Sequence, residues 1–286
     1  MVSITFLGTG GGRINLIRQV RGTGGFLIIS KHLIISVDPG PGALSTLNRF
    51  GINPESINAV IITHDHVDHL LEAPLIIEAM SGFMLNKGGV LISAKSVVDN
   101  DANADRSITL YHQSKLAQNI ILRAGEKKKI TIEKGGREYG FLIQGTNVKH
   151  EDIFGFGFVL EIDGKKIGYT SDTEYIKSVH ESQYAGLDLL IANCLKPAAD
   201  EIAGHMHSID LSKLLLSTKP SACLLTHMGM KMLAAGPEKE AGAIEKISGV
   251  RTIAGRDGYE FDLERGTYKK YEKPSKPKSS EQKKLA

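Results

Sequence analysis

The chain has 286 residues, 41% of them apolar, with 31 Gly, 9 Pro and no Trp, which describes a globular protein long enough to bury a large core. No apolar stretch reaches the roughly 20 residues of a bilayer span, and the start MVSITFLGTGGG lacks the basic and apolar regions of a leader, so a cytoplasmic address and no membrane partner are expected. Net charge is +3, but residues 269–286 alone hold seven Lys and two Glu; the remaining body, at −2, is no basic nucleic-acid platform.

Short β-branched runs predict strands at VSITFL, GFLIIS, LIISVD and NAVIIT, all before residue 64. The polar segment after the fourth leads into a predicted helix DHLLEAPLIIEAM. Residues 81–149 read as a long insertion; within it, His112 and Tyr111 of ITLYHQSKLAQN belong to a surface helix or to a lid. GFGFVLEI and KKIGYT flank Asp163-Gly164, a pair suited to a two-residue hairpin turn because both central residues need positive φ. A strand LDLLIAN, a helix around DLSKLLLS, a strand SACLLT, a helix PEKEAGAIEKI opened by its Pro, and closing strands RTIAG and YEFDL follow.

These elements form two comparable sets, before and after about residue 150. The pattern predicts a layered α/β fold in one domain, residues 1–268, with two packed sheets and helices on both outer faces. The Lys-, Pro- and Ser-rich tail, 269–286, is expected to be disordered, solubilising, and at most weakly attractive to RNA. Cys194 and Cys223 sit in apolar runs and read as buried thiols rather than a disulfide.

IITHDHVDHL, residues 61–70, carries the chemistry. A strand ending at Thr63 delivers the segment to a sheet's carboxyl edge, where open α/β sheets place ligands. His64 and His66 are two apart and leave one face of an extended chain; Asp68 and His69 follow one turn later. Two neighbouring cations suit this arrangement. Further donors end other apolar runs: His150 after GTNVK, Asp172 in GYTSDTE and His227 after ACLLT, with Asp172 able to bridge. Imidazole and carboxylate donors suit two divalent ions, Zn²⁺ first, with Mn or Fe as alternatives.

THDHVDH, then His150, then SDT, then LTH, in this order across residues 1–262, resembles the metallo-β-lactamase superfamily. The resemblance implies an αββα sandwich with one metal on His64, His66 and His150, a second on Asp68, His69 and His227, and Asp172 shared. ITFLGTGGG is similar to the opening of RNase Z, the tRNA 3′-processing endonuclease, and of the phosphodiesterase that opens phosphoribosyl cyclic phosphates; TKPSACLLTHMG with AGRDGYEFDL is similar to the end of the latter. In both relatives a further histidine lies 22 residues before the last ligand, which selects His205 of GHMHS to protonate the leaving oxygen or stabilise the phosphoryl group, with His207 as competitor.

The sequence departs from both relatives. It has no Gly/Pro-rich arm for grasping tRNA and no Cys-rich structural zinc site. Arg13, Arg18 and Arg21 follow the glycine loop and suit a phosphate clamp. Asp68 is expected to orient a metal-activated hydroxide, and Asp38 of ISVDPGPG to hold a ligand imidazole in one tautomer. The reading is a metal-dependent hydrolase of small or cyclic phosphodiesters. Alternatives are an RNase Z-like endoribonuclease, a thioester or lactone hydrolase, and a non-catalytic metal scaffold, which would be missing ligands. A homodimer is left open.

Overall fold

The computed structural model describes residues 1–100, 105–198, 200 and 202–272. Its strands are β1 (Ser3–Phe6), β2 (Phe26–Ile29), β3 (Ile34–Val37), β4 (Ala59–Ile62), β5 (Gly88–Ser93), β6 (Leu116–Ile121), β7 (Lys127–Lys134), β8 (Arg137–Thr146), β9 (Gly157–Ile162), β10 (Lys165–Tyr169), β11 (Leu189–Asn193), β12 (Ala222–Thr226), β13 (Thr252–Ala254), β14 (Tyr259–Asp262) and β15 (Thr267–Lys270). One sheet has the order β15-β14-β1-β2-β3-β4-β5-β6, the other β13-β12-β11-β10-β9-β8-β7. The helices are α1 (Arg13–Arg18), α2 (Ala43–Phe50), α3 (Val67–Leu70), α4 (Ala73–Met80), α5 (Lys95–Val98), α6 (Leu110–Ser114), α7 (Lys177–Gln183), α8 (Ser208–Thr218), α9 (Met230–Ala235) and α10 (Pro237–Ser248). The two sheets stack with helices outside, the expected αββα sandwich.

Strand period explains the layering. In β11, Leu189 and Ile191 enter the core between the sheets, whereas Leu190 and Ala192 face the core beneath α8 and α10. β12 divides likewise, with Ala222 and Leu224 inward and Cys223 and Leu225 outward. A strand covered on both faces must be apolar throughout, which is why these segments read as continuous rather than alternating runs. Both cysteines are buried and free.

Three expectations need correction. Residues 81–149 are no appended insertion: they supply β5 and β6 to the first sheet and β7 and β8 to the second, so the division between sheets falls near residue 124 rather than 150. β14 and β15 then return to the first sheet. The helix expected over DHLLEAPLIIEAM is two helices, because Pro74 has no N–H for the Leu70 carbonyl and Glu72 instead accepts from Gly42 N (2.7 Å) and Leu44 N (2.6 Å) at the start of α2. Lys269 and Lys270, counted with the tail, belong to β15, and Tyr271 packs on Phe50; residues 273–286 lie outside the described residues. The hairpin at Asp163-Gly164 is as expected, with φ of 47° and 75°. Among the described residues, no helix is long and apolar enough to cross a membrane.

Pairing directions decide where the loops gather. β1, β3 and β4 run the same way in one sheet, and β8, β10, β11 and β12 do so in the other. The loops leaving their carboxyl ends meet along one rim. Asp257 fastens that rim, accepting from Thr9 N (2.8 Å), Thr9 Oγ1 (2.6 Å) and Gly22 N (2.7 Å), while Arg21 donates to Thr9 Oγ1 and to the Gly255 carbonyl. Asp257→Ala leaves three donors without their acceptor, and a loss of about 2–4 kcal/mol in urea unfolding is expected; a change under about 0.5 kcal/mol would show the rim is held elsewhere.

Candidate metal centre

Each loop on this rim delivers one or more polar side chains. β3 ends in Asp38; β4 in Thr63, His64 and, through an extended turn, His66, Asp68 and His69; β8 leads to His150, β10 to Asp172 and β12 to His227. Asp38, Ser171 and His227 hold φ of 48°, 54° and 54°, a left-handed conformation uncommon for residues with a side chain and found where a site demands it.

The seven donors identified from sequence come together. His64, His66, His150 and Asp172 form one group and Asp68, His69 and His227 another, each with donor atoms within 4.8 Å of one another; a third group joins Asp172, His205 and His227. Asp172 Oδ2 lies 3.3 Å from His227 Nε2, 3.4 Å from His69 Nε2, 3.7 Å from His205 Nδ1, 3.8 Å from His64 Nε2 and 4.0 Å from His150 Nε2. Its other oxygen accepts from Asn193 Nδ2 at 2.6 Å.

Hydrogen bonds behind the rings decide their tautomers. Thr63 Oγ1 gives its one proton to Asp38 Oδ2 (2.8 Å), so it accepts from His64 Nδ1 (3.1 Å). His69 Nδ1 donates to Asp38 Oδ2 (3.0 Å) and His150 Nδ1 to the Gly204 carbonyl (3.0 Å). In all three Nε2 is the ring nitrogen left facing the cluster. The Nε2 atoms of His64 and His69 are buried with no hydrogen-bond partner. Buried polar atoms are rarely left so, and ring nitrogens aimed at a shared carboxylate fit a divalent cation. Glycines make room for the rings: a Cβ on Gly11 would stand 2.3 Å from the His227 ring, and one on Gly204 2.6 Å from His150 Nδ1.

Charge follows from burial and neighbours. Burial holds His64 well below its ordinary pKa, an effect the adjacent His69 reinforces, and lowers His150 and His205, the last to about 4 despite the nearby Asp172. Burial works against His69 as well, yet the carboxylates of Asp172, Asp68 and Asp38 outweigh it and hold that imidazole well above its usual range, so a divalent ion binding there would have to displace the Nε2 proton. Burial would raise Asp68 and Asp172, but the surrounding histidines keep both well below the usual carboxylate range. Tyr169, raised by burial and by Asp38, remains a phenol and donates to Asp38 Oδ2 at 3.0 Å.

The cluster opens into a cavity of about 930 Å³. His205 lines it, while His207 does not: His207 caps α8, its Nδ1 accepting from Asp210 N, and turns toward an adjoining cavity of about 410 Å³. Of the arginines only Arg13 lines the cavity, 89% exposed and 3.7 Å from Glu151. Arg18 is exposed and outside it, and Arg21 is committed to Thr9 and Gly255, so the three form no clamp. Cations missed in the sequence are Lys196 and Lys231, both on the cavity and both paired with Asp200 (3.2 and 2.9 Å). The available signal was their place just beyond LDLLIAN and ACLLTH. His112 sits on α6 against Glu78, away from the cavity, which favours the surface-helix reading over the lid.

Residues 34–228 match the family described as beta-lactamase superfamily domain. An uncharacterized protein of Methanocaldococcus jannaschii is 38% identical over 94% of this chain and 97% of its own. A ribonuclease Z of Saccharolobus islandicus is 26% identical over 80% of this chain and 89% of its own. The crystal structure of a metallo-beta-lactamase fold protein from Bacillus subtilis superposes with a TM-score of 0.70 at 21% identity, covering 91% of this chain and 98% of that one. The chain belongs to the metallo-β-lactamase superfamily, with its similarity running to the ribonuclease Z branch, and its fold and donor cluster are those of a metal-dependent hydrolase.

Asp38 tests the centre without touching the donors that face it. Asp38→Asn keeps the shape of the side chain but weakens the hold on His69 and Thr63, and divalent-metal affinity measured by competition with a chelator is expected to fall about 10- to 100-fold with the fold intact by circular dichroism. Unchanged affinity would remove Asp38 from the account of metal binding.

Proposed function

We propose that the chain is a phosphodiesterase that hydrolyses small or cyclic phosphodiesters at a dinuclear centre. His64, His66 and His150 would hold one ion and Asp68, His69 and His227 the other, with Asp172 shared; zinc suits these nitrogen and oxygen donors, as do manganese and iron. The observation that carries the reading is the pair of buried, unpartnered Nε2 atoms on His64 and His69, facing Asp172 at the floor of a cavity that also bears Arg13, Lys196 and Lys231.

Bound divalent ions supply Lewis acidity and bring the pKa of water toward neutrality. The chain's own groups do the rest. Arg13, Lys196 and Lys231 draw in the anionic phosphate and orient it. Asp68, ionised beside His227 (3.3 Å), accepts a hydrogen bond from the attacking water and aims its oxygen at phosphorus. The new P–O bond forms as the bond to the leaving ester oxygen breaks. His205, neutral in its buried place, offers its N–H as a hydrogen bond to the charge developing on that oxygen; the proton lost by the attacking water is returned to it through solvent, so that an alcohol leaves and a phosphomonoester remains.

Elemental analysis after reconstitution should find about two ions per chain; one or fewer would sink the dinuclear reading. His205→Ala is expected to keep both ions and lower kcat about 10²- to 10³-fold on a cyclic nucleotide, whose leaving oxygen is an alkoxide, whereas His207→Ala, which removes only a helix cap, should change kcat little. The reverse ranking would overturn the role of His205.

An RNase Z-like reading rests on the Saccharolobus relative. Against it, the chain outside residues 269–286 carries a net charge of −2, and affinity for folded RNA depends on cationic contacts to phosphates. Kinetics on cyclic nucleotides and on pre-tRNA separate the two: a higher kcat/KM for the small diesters is expected, and cleavage of pre-tRNA at one defined site with the greater kcat/KM would replace the small-molecule assignment.

A further inference from the structure

The donors occupy the floor of a cavity whose wall is of a different character. Ile14, Leu16 and Ile17 of α1, Val67 at the start of α3, Ile202, and Met230 at the start of α9 all line it. Ile17 is 83% exposed, Ile14 60%, Val67 49% and Ile202 42%. Ile17 and Ile14 add little to the folded core, because they stand mostly in water, and Val67 and Ile202 are nearly half exposed. Large apolar residues gathered in the open and bordered by charge mark a binding surface, and ligand cavities characteristically combine apolar walls with a few placed polar groups. Both parts are present in one continuous space: the cations Arg13, Lys196 and Lys231 line the same cavity, the two lysines held there by Asp200. Its volume of about 930 Å³ far exceeds what a phosphate and two small ester carbons fill.

We propose that the substrate is an amphiphilic phosphodiester, with its phosphate at the His/Asp floor and one alkyl or aromatic ester arm along Ile14, Ile17 and Val67. The inference rests on the phosphodiesterase reading above and narrows its substrate class. A wholly polar diester would leave the wall wet, whereas an apolar arm on an anionic head matches both the wall and the three cations. Charge complementarity and continuity with the floor assign the wall to the substrate rather than to a second copy of the chain.

The test separates binding from turnover. Metal-loaded protein is titrated calorimetrically with methyl phosphate and hexyl phosphate, and turnover is measured with methyl and hexyl p-nitrophenyl phosphate, which share one leaving group. A fully buried methylene is worth about fourfold in affinity, so hexyl phosphate should bind at least about 20-fold tighter than methyl phosphate, and kcat/KM should rise in parallel. Ile17→Asp, at a position too exposed to threaten folding, should shrink both ratios below about fivefold; Ile14→Asp should act in the same direction. Equal binding of the two phosphates overturns the proposal. So does an Ile17→Asp protein that keeps the full ratio, and so does sedimentation showing that the substitution splits a dimer while the ratio stands. Chain-length-dependent binding with neither diester cleaved sustains the apolar arm and removes the phosphodiesterase reading. Equal cleavage of both diesters removes the arm and leaves that reading intact.

Discussion

One buried carboxylate sets the terms for the rest of the molecule. Asp172 is 2% exposed, and its Oδ2 stands within 3.3–4.0 Å of nitrogens on five histidines. A carboxylate so deep, left without partners, destabilises a fold by several kcal/mol, so hydrogen-bond donors and a place for a cation must be gathered around it. The loops after β4, β8 and β12, and the turn before α8, each contribute an imidazole to that end. A rim that collects donors from both sheets exists because seven strands run in a common direction within their sheets and end there.

Behind the donors lies a hydrogen-bonded layer that joins the sheets. Tyr169 and Ser171, from the second sheet, donate to Asp38 and Thr63 of the first at 3.0 and 2.7 Å. These contacts make the orientation of His64 and His69 a property of the packed sandwich rather than of one loop. They also explain the left-handed backbone at Asp38 and Ser171, where the chain turns sharply to place a side chain between the sheets. The same layer leaves the Nε2 atoms of His64 and His69 turned toward Asp172, which is the arrangement a cation needs.

The cavity above combines this polar floor with cations and an apolar wall. On the substrate class proposed above, chemistry and selectivity would be drawn from different parts of the fold. The floor comes from strand ends clamped by both sheets, while Ile14 and Ile17 lie on the six-residue helix α1, outside the sandwich. A hydrolytic centre built this way can change its substrate by changing α1 and the loops near α9, leaving the donors where they are.

Much of this was legible in the sequence, and the limit falls where contacts become long-range. The HDHVDH spacing put two imidazoles on one face of an extended segment, and strand ends at His150, Asp172 and His227 marked the remaining donors, because a strand's period and direction are local properties. Asp38 was legible in the same way. His205 and His207 were not separable locally, being two apart with the same parity. The bridge between Lys196 and His207, with the cap on α8, turned one away and left the other beside Asp172. The three arginines looked alike in sequence, yet Arg21 is consumed by a carbonyl at Gly255, 234 positions away. The role of residues 81–149 was hidden for the same reason, since nothing within β7 or β8 states which sheet they join. The sequence by itself determined the donor types, their spacing and their arrival at strand ends. Which cations face the cavity, which histidine meets Asp172 and which strands share a sheet were decided only by tertiary packing, because each depends on a partner distant along the chain.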